Sequence, residues 1–334
     1  MSLVTRLIRH ADLRPCRNAF VDSRSPGSAE KENFTLIGPG VSENPNQHVH
    51  IPESHGFNIG GARQPPGCLN SQHSHETAEV FVVHTGQWRF LWGPHREDGQ
   101  VDLGPGDTIS IPTRMFRGFE NIGAESGFLF AVLGGDDPGR VTWSPPVFEL
   151  AGEHGLVLLE GGRLVDTSLG DAVPDGARPQ LPPTPAEMAA LRSPANERLA
   201  QCVARFAVLA PGGGLTAPGV EECAVISPRA TADGFAPGPI AGWWPHGFVV
   251  RCLRLAPAAT VASHTRAEAE VIFIQSGTLE MVVDGEALVM QPGDTFTTPN
   301  GATRSFTSPR GCVAFVVRGG EDPAAVRFLP MRTA

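Results

Sequence analysis

Tyrosine is absent from this chain, and all aromatic residues together make up 7% of it. No site here can rest on a phenol side chain. No run of 18 apolar residues occurs, and the opening MSLVTRLIRHADL lacks the apolar core of a secretion signal. The six cysteines (Cys16, Cys68, Cys202, Cys223, Cys252 and Cys312) include no Cys-x-x-Cys pair. They read as free, mostly buried thiols of a reducing compartment, so the expectation is a cytoplasmic protein with no membrane partner. Basic residues are too few to form a stripe: 26 Lys and Arg stand against 35 Asp and Glu, a net charge of −9. With no aromatics interleaved among them, nucleic acid is not an expected partner. Ser/His/Asp triads, phosphate-cradling loops and zinc-finger spacings are missing in any convincing form.

Glycine and proline, by contrast, are plentiful, at 39 and 31. That suits many short strands joined by tight turns, and 334 residues suggest two domains. The most informative stretch is Gln72 to Gly86, QHSHETAEVFVVHTG. His73, His75 and Glu79 are all odd-numbered, so on one extended strand they share a face. Two imidazoles and a carboxylate converging there suit a divalent transition metal. By the same parity His84 lies opposite and is expected to be exposed. Trp88, Phe90 and Trp92 share a face that could line an aromatic pocket, with Trp88 and Phe90 as candidate substrate contacts, or could pack a core. A second pair, His48 and His50, has no carboxylate in register and reads as an edge strand.

His-x-His, three residues, Glu79, six residues and Gly86 resemble the first motif of the cupin superfamily. Gly106, Pro112 and Asn121 fit its second motif. Arg114 stands where that family usually has glycine, and Arg117 where it has a fourth metal-ligating histidine. The resemblance implies an all-β chain of antiparallel, jelly-roll β-barrels. If Arg117 lies about 5 Å from a bound ion, the repulsion is roughly 3 kcal/mol at an effective dielectric near 20. An anion between the two would reverse its sign, making Arg117 a candidate catalytic and substrate-binding residue. Alternatively Arg117 pairs with Glu79 as a buried ion pair and no metal binds.

An internal repeat extends the resemblance to most of the chain. His55-Gly56-Phe57 returns as His246-Gly247-Phe248, and the same offset carries His73 to His264, Glu79 to Glu270 and Gly86 to Gly277. Pro105-Gly106-Asp107 returns as Pro292-Gly293-Asp294 at an offset four shorter, which places four extra residues in a hairpin near Trp92. The expected layout is an N-terminal extension packing on the barrels (1–54), a first barrel (55–150), a proline-rich and partly helical linker (151–205) and a second barrel (206–334). Within the linker, Thr184-Pro185-Ala186-Glu187 is a capping-box helix start. The second copy presents His264, Arg266, Glu270 and Arg304, a degenerate site poor for a cation. It is either a structural partner or an anion pocket.

Together these readings imply a bicupin with one divalent ion, iron first and manganese, nickel or zinc next, on His73, His75 and Glu79. The resemblance points to a dioxygenase-like oxidoreductase acting on a small anionic, phenolic or carbonyl substrate, and to a homodimer. The alternative is a metal-free protein that binds a small anion.

Overall fold

The computed structural model describes residues 3–330. The chain divides into two compact units, Arg14–Ala200 and Met1–Leu13 with Gln201–Ala334.

In the first unit, one sheet carries strands in the order Thr108–Ile111, Glu79–Thr85, Gly127–Gly134, Phe57–Gln64, Glu32–Ile37 and Val49–Ile51. The facing five-stranded sheet runs Thr142–Trp143, Leu69–Ser74, Arg117–Asn121, Trp88–Trp92 and Gly99–Leu103. Pairing is antiparallel throughout except between Glu32–Ile37 and the edge strand Val49–Ile51. Aromatic side chains join the two sheets: Phe81 lies 5.4 Å from Phe90 and 5.1 Å from Phe119, ring centre to ring centre.

The second unit repeats this plan. Its sheets run Leu7–Ile8, Thr295–Thr298, Glu270–Gly277, Cys312–Gly319, Phe248–Leu255, Val220–Ile226, and Glu286–Met290, Leu279–Val283, Arg304–Ser308, Ala259–Thr265, Arg327–Phe328. Apart from the edge strands Val49–Ile51 and Leu7–Ile8, this is the order of the first unit. The core between them holds Val261, Ile272, Leu279, Met281, Phe296 and Phe306. Gly86 shows why the repeat keeps its glycines. It takes φ +88° to turn the hairpin, and a Cβ there would meet the Gly127 backbone at 2.8 Å. The four extra residues also fall where expected. Six residues, 93–98, link the strands Trp88–Trp92 and Gly99–Leu103, whereas Asp284-Gly285 suffices in the second copy.

Two boundaries differ from the sequence expectation. Residues 14–51 are not an appendage: Glu32–Ile37 is an interior strand of the first sheet, paired to Phe57–Gln64. Residues 145–166 form a helix, Pro145–Glu153, and a short hairpin whose Val147, Leu156 and Leu158 pack with Phe20 and Trp143. They are therefore part of the first unit and not linker. The predicted helix forms at Pro185–Ala189, with both halves of its Thr184/Glu187 capping box made. Among the described residues no helix is long and apolar enough to cross a membrane.

Candidate metal centre

His73, His75 and Glu79 come together, though not as one strand face. His73 lies near the end of strand Leu69–Ser74 in one sheet, and Glu79 opens strand Glu79–Thr85 in the other. Residues 75–78 leave the sheet between them, so the two-residue period is broken and parity alone does not account for the convergence. Sheet packing does. The turn is held by Arg114, whose backbone N–H donates to the His75 carbonyl at 2.7 Å. Arg114 does so with φ +60°, a left-handed conformation that favours glycine; the matching residue of the second copy is Gly301, at φ +71°.

All three side chains are buried, and one donor atom from each lies within 4.8 Å of the others. His73 Nδ1 sits 2.6 Å from the Ser71 carbonyl. A carbonyl only accepts, so Nδ1 carries the proton and the Nε2 lone pair faces inward, as a ligand requires. Burial, reinforced by the Arg117 charge, holds the His73 imidazole well below its ordinary range, and burial likewise lowers His75. Burial alone would raise the Glu79 carboxyl. Arg117 and the imidazoles outweigh it and keep Glu79 far below the usual carboxylate range. The three donors are thus two neutral imidazoles and one carboxylate, the protonation states in which each can ligate a metal.

Arg117 behaves differently from a free substrate group. Its Nη2 donates to Glu79 Oε2 and its Nη1 to the His73 carbonyl at 2.7 Å. The expectation of a guanidinium waiting for an anion is therefore corrected. The strand pairing that sets Arg117 opposite His73 also aims it at the nearest carboxylate, and an unpaired buried charge is costly. Glu79 Oε1 remains turned toward His75, 3.4 Å from its Nε2. One carboxylate oxygen is held by the guanidinium and the other faces the imidazoles, so the residues fit a divalent ion with Glu79 binding through a single oxygen.

A cavity with about 60 Å³ open to the centres of water-sized molecules adjoins the triad. Phe81, Phe119 and Trp143 wall it, and Asn33 and Gln47 contribute polar atoms, Asn33 Nδ2 and Gln47 Oε1, that have no hydrogen-bond partner. Trp88 and Phe90 do not line it; both are fully buried, and Phe90 packs on Phe81 and Phe119 in the core. His84 is 8% exposed rather than outward-facing, its ring edge against Phe128. His48 precedes the edge strand Val49–Ile51 and His50 lies within it, ring against ring.

Several contributors escaped the sequence. Trp143 pairs with His73 across strands, its ring 5.1 Å from the imidazole. Its Nε1–H donates to Glu43 at 2.6 Å, and burial raises the Glu43 carboxyl to about 8. The fully buried pair Lys31–Asp22 reaches the same place, because Asp22 Oδ2 accepts from the Ser71 backbone N–H at 3.0 Å. Nothing in the local sequence around Lys31 or Glu43 marks either as interior.

In the second unit His264 repeats the His73 pattern, with Nδ1 2.9 Å from the Ala262 carbonyl. Guanidinium groups flank both oxygens of Glu270: Arg304 Nε lies 3.1 Å from Oε1 without a hydrogen bond, and Arg318 Nε donates to Oε2 at 2.7 Å. Arg266 lies between Glu270 and two further acids, Glu222 and Asp233. The motif comparison foresaw two guanidinium groups against one carboxylate; Arg251, Arg318, Glu222 and Asp233 enlarge that set. Arg318, directly after the apolar run Cys312–Val317 and within the same strand, was the visible signal.

The family profile described as "Cupin domain" matches residues 62–133 and 252–317. No curated protein sequence matches the chain. Solved structures with the same fold include oxalate decarboxylase from Bacillus subtilis at pH 4.6, 14% identical with a TM-score of 0.58, covering 97% of this chain and 78% of that one. The Lactobacillus farciminis oxalate decarboxylase formate complex is 13% identical with a TM-score of 0.58, covering 97% and 88%. A variant of salicylate 1,2-dioxygenase from Pseudoaminobacter salicylatoxidans matches at 16% identity and a TM-score of 0.49, covering 80% and 72%.

Proposed function

Because the chain is a two-domain cupin, with a cupin domain in each half, we propose that its first unit is a metal-dependent catalytic site acting on a small oxyanion. His73, His75 and Glu79 would hold the ion. The observation that carries this reading is the inward Nε2 of His73, fixed by the Ser71 carbonyl, within 4.8 Å of the other two donors. When bound, the ion supplies a Lewis acid with open coordination positions. A nitrogen and oxygen donor set suits iron first, with manganese, nickel and zinc compatible.

Charge favours the substrate class. Glu79 and Arg117 cancel, so a divalent ion would bring two uncompensated positive charges into a buried space. A carboxylate or enolate oxygen from substrate relieves that. Size narrows it further: the cavity holds roughly four to six water positions at 10–15 Å³ each, which favours small keto acids or dicarboxylates over large ring systems. Arg117 is then a positioning residue, steadying Glu79 and the His73 backbone together. Trp143 and Phe119 exclude water, and Asn33 Nδ2 can donate to a substrate oxygen. A 2-His-1-carboxylate face suits oxygen chemistry, so an oxidoreductase of the dioxygenase kind is the first reaction class. A metal-free role as a small-anion binding protein is favoured by a different observation: Arg117 already satisfies one oxygen of Glu79 without any ion.

Elemental analysis separates the two. About one equivalent of bound transition metal, lost in His73→Ala, is expected of a single three-ligand site. Oxygen uptake and carbon dioxide release, followed with small keto acids, dicarboxylates, catechols and flavonols, then assign the reaction. Protein that neither carries metal as purified nor takes it up on reconstitution overturns the enzymatic reading.

A further inference from the structure

The second unit buries more charge than packing requires. Four guanidinium groups, Arg251, Arg266, Arg304 and Arg318, lie in its interior with three carboxylates, Glu222, Asp233 and Glu270. Every one of these residues is at most 5% exposed. Their ion pairs span 2.6 to 3.9 Å. The count leaves one positive charge in excess among these buried side chains. An uncompensated buried charge costs several kcal/mol, so a folded protein that keeps it is expected to hold a counter-ion.

The unpaired groups show where that ion would sit. Arg304 donates Nη1 to the Ala302 carbonyl and places Nε 3.1 Å from Glu270 Oε1 without a hydrogen bond, and its Nη2 has no partner. His264 lies directly across the strand pair from Arg304, but with Nδ1 donating to the Ala262 carbonyl its Nε2 can only accept, so the donors to the ion are guanidinium groups. Arg266 adds a second incompletely bonded guanidinium, with Nη2 3.5 Å from Glu222 and no hydrogen bond. Strand Arg327–Phe328 closes over this point, pairing Phe328 with His264. Guanidinium groups stand against both oxygens of Glu270, so the site takes the opposite sign of ion from the first unit.

We propose that the second unit binds one small monovalent anion, of chloride to formate size, at Arg304 Nη2. The proposal does not depend on metal in the first unit.

Two probes test it, sodium formate and sodium bromide, against the full chain dialysed into anion-poor buffer. Formate is expected to raise the melting temperature by a few degrees in a saturable way. The same rise should appear in His73→Ala, where the first site is disabled, and disappear in Arg304→Gln, which lowers the cluster to neutrality. Crystals soaked in bromide should show an anomalous peak within hydrogen-bond distance of Arg304 Nη2. A formate response that vanishes with His73→Ala and survives Arg304→Gln assigns the anion to the first unit and overturns the proposal. If Arg304→Gln does not fold, the bromide peak decides: its absence from an otherwise ordered second unit also overturns it.

Discussion

At the scale of single residues, protonation state decides what each group can do. Glu43 is the sharpest case. It accepts from Trp143 Nε1 and from the Val21 backbone N–H, yet burial raises its carboxyl from the ordinary 4.5 to about 8. Between those values the folded chain keeps a proton that the unfolded chain has released. The folded state therefore binds more protons there, and its stability falls as pH rises, by no more than about 1.4 kcal/mol per pH unit. Denaturant titrations from pH 5 to 8 are expected to show this slope in the native protein and a shallower one in Glu43→Gln. Equal slopes would mean that the carboxyl is already ionised in the fold. Nothing about Glu43 in the sequence, between Ser42 and Asn44 in a polar loop, announces an interior position. Its burial comes from Phe20, Val21 and Trp143, which belong to segments far away along the chain.

At the scale of elements, the turn into strand Arg117–Asn121 sets the candidate site. Arg114 holds a left-handed φ of +60° so that its N–H can reach the His75 carbonyl. A side chain in that conformation costs about 1–2 kcal/mol, partly offset by the greater freedom of glycine when unfolded. Arg114→Gly, copying Gly301 of the second unit, is expected to stabilise the protein by up to about 1 kcal/mol. Metal content should not change, since the backbone bond is kept. Thermal unfolding of the purified variant checks the sign, and a clear destabilisation would mean that the Arg114 side chain contributes packing that outweighs the strain. Here the sequence was directly legible, because the departure from glycine at 114 coincides with the strained position. The strand Glu32–Ile37 is legible as a short strand at Phe34-Thr-Leu-Ile. Its place inside the first sheet is not, because Ser-Pro-Gly and Gly-Pro-Gly clusters give residues 1–54 a loop composition, and strand pairing depends on what a segment finds to pair with.

At the scale of the whole molecule, duplication has let two similar frameworks diverge in charge. The first places two neutral imidazoles beside Glu79; the second places Arg266 and Arg318 beside Glu270. Each unit has its own core. Scanning calorimetry with added ferrous or manganous ion is therefore expected to raise one unfolding component and leave the other in place. Ligand at a thousand times its dissociation constant stabilises the bound unit by about 4 kcal/mol. The shift should vanish in His73→Ala. A uniform rise of all components, or one that persists in that variant, would place the ion elsewhere.

Sequence alone determined the all-β class, the doubled plan, the hairpin that is four residues longer in the first copy, and the trio His73, His75 and Glu79. These are carried by turn glycines, strand-forming runs and fixed spacings, which are local and repeat along the chain. Only the tertiary structure decided that Arg117 grips Glu79, that Trp88 and Phe90 pack away from the cavity, and that Glu222, Asp233 and Arg318 join the second cluster. Those outcomes follow from which strands from distant parts of the chain face one another across two sheets, and spacing along one strand does not encode that.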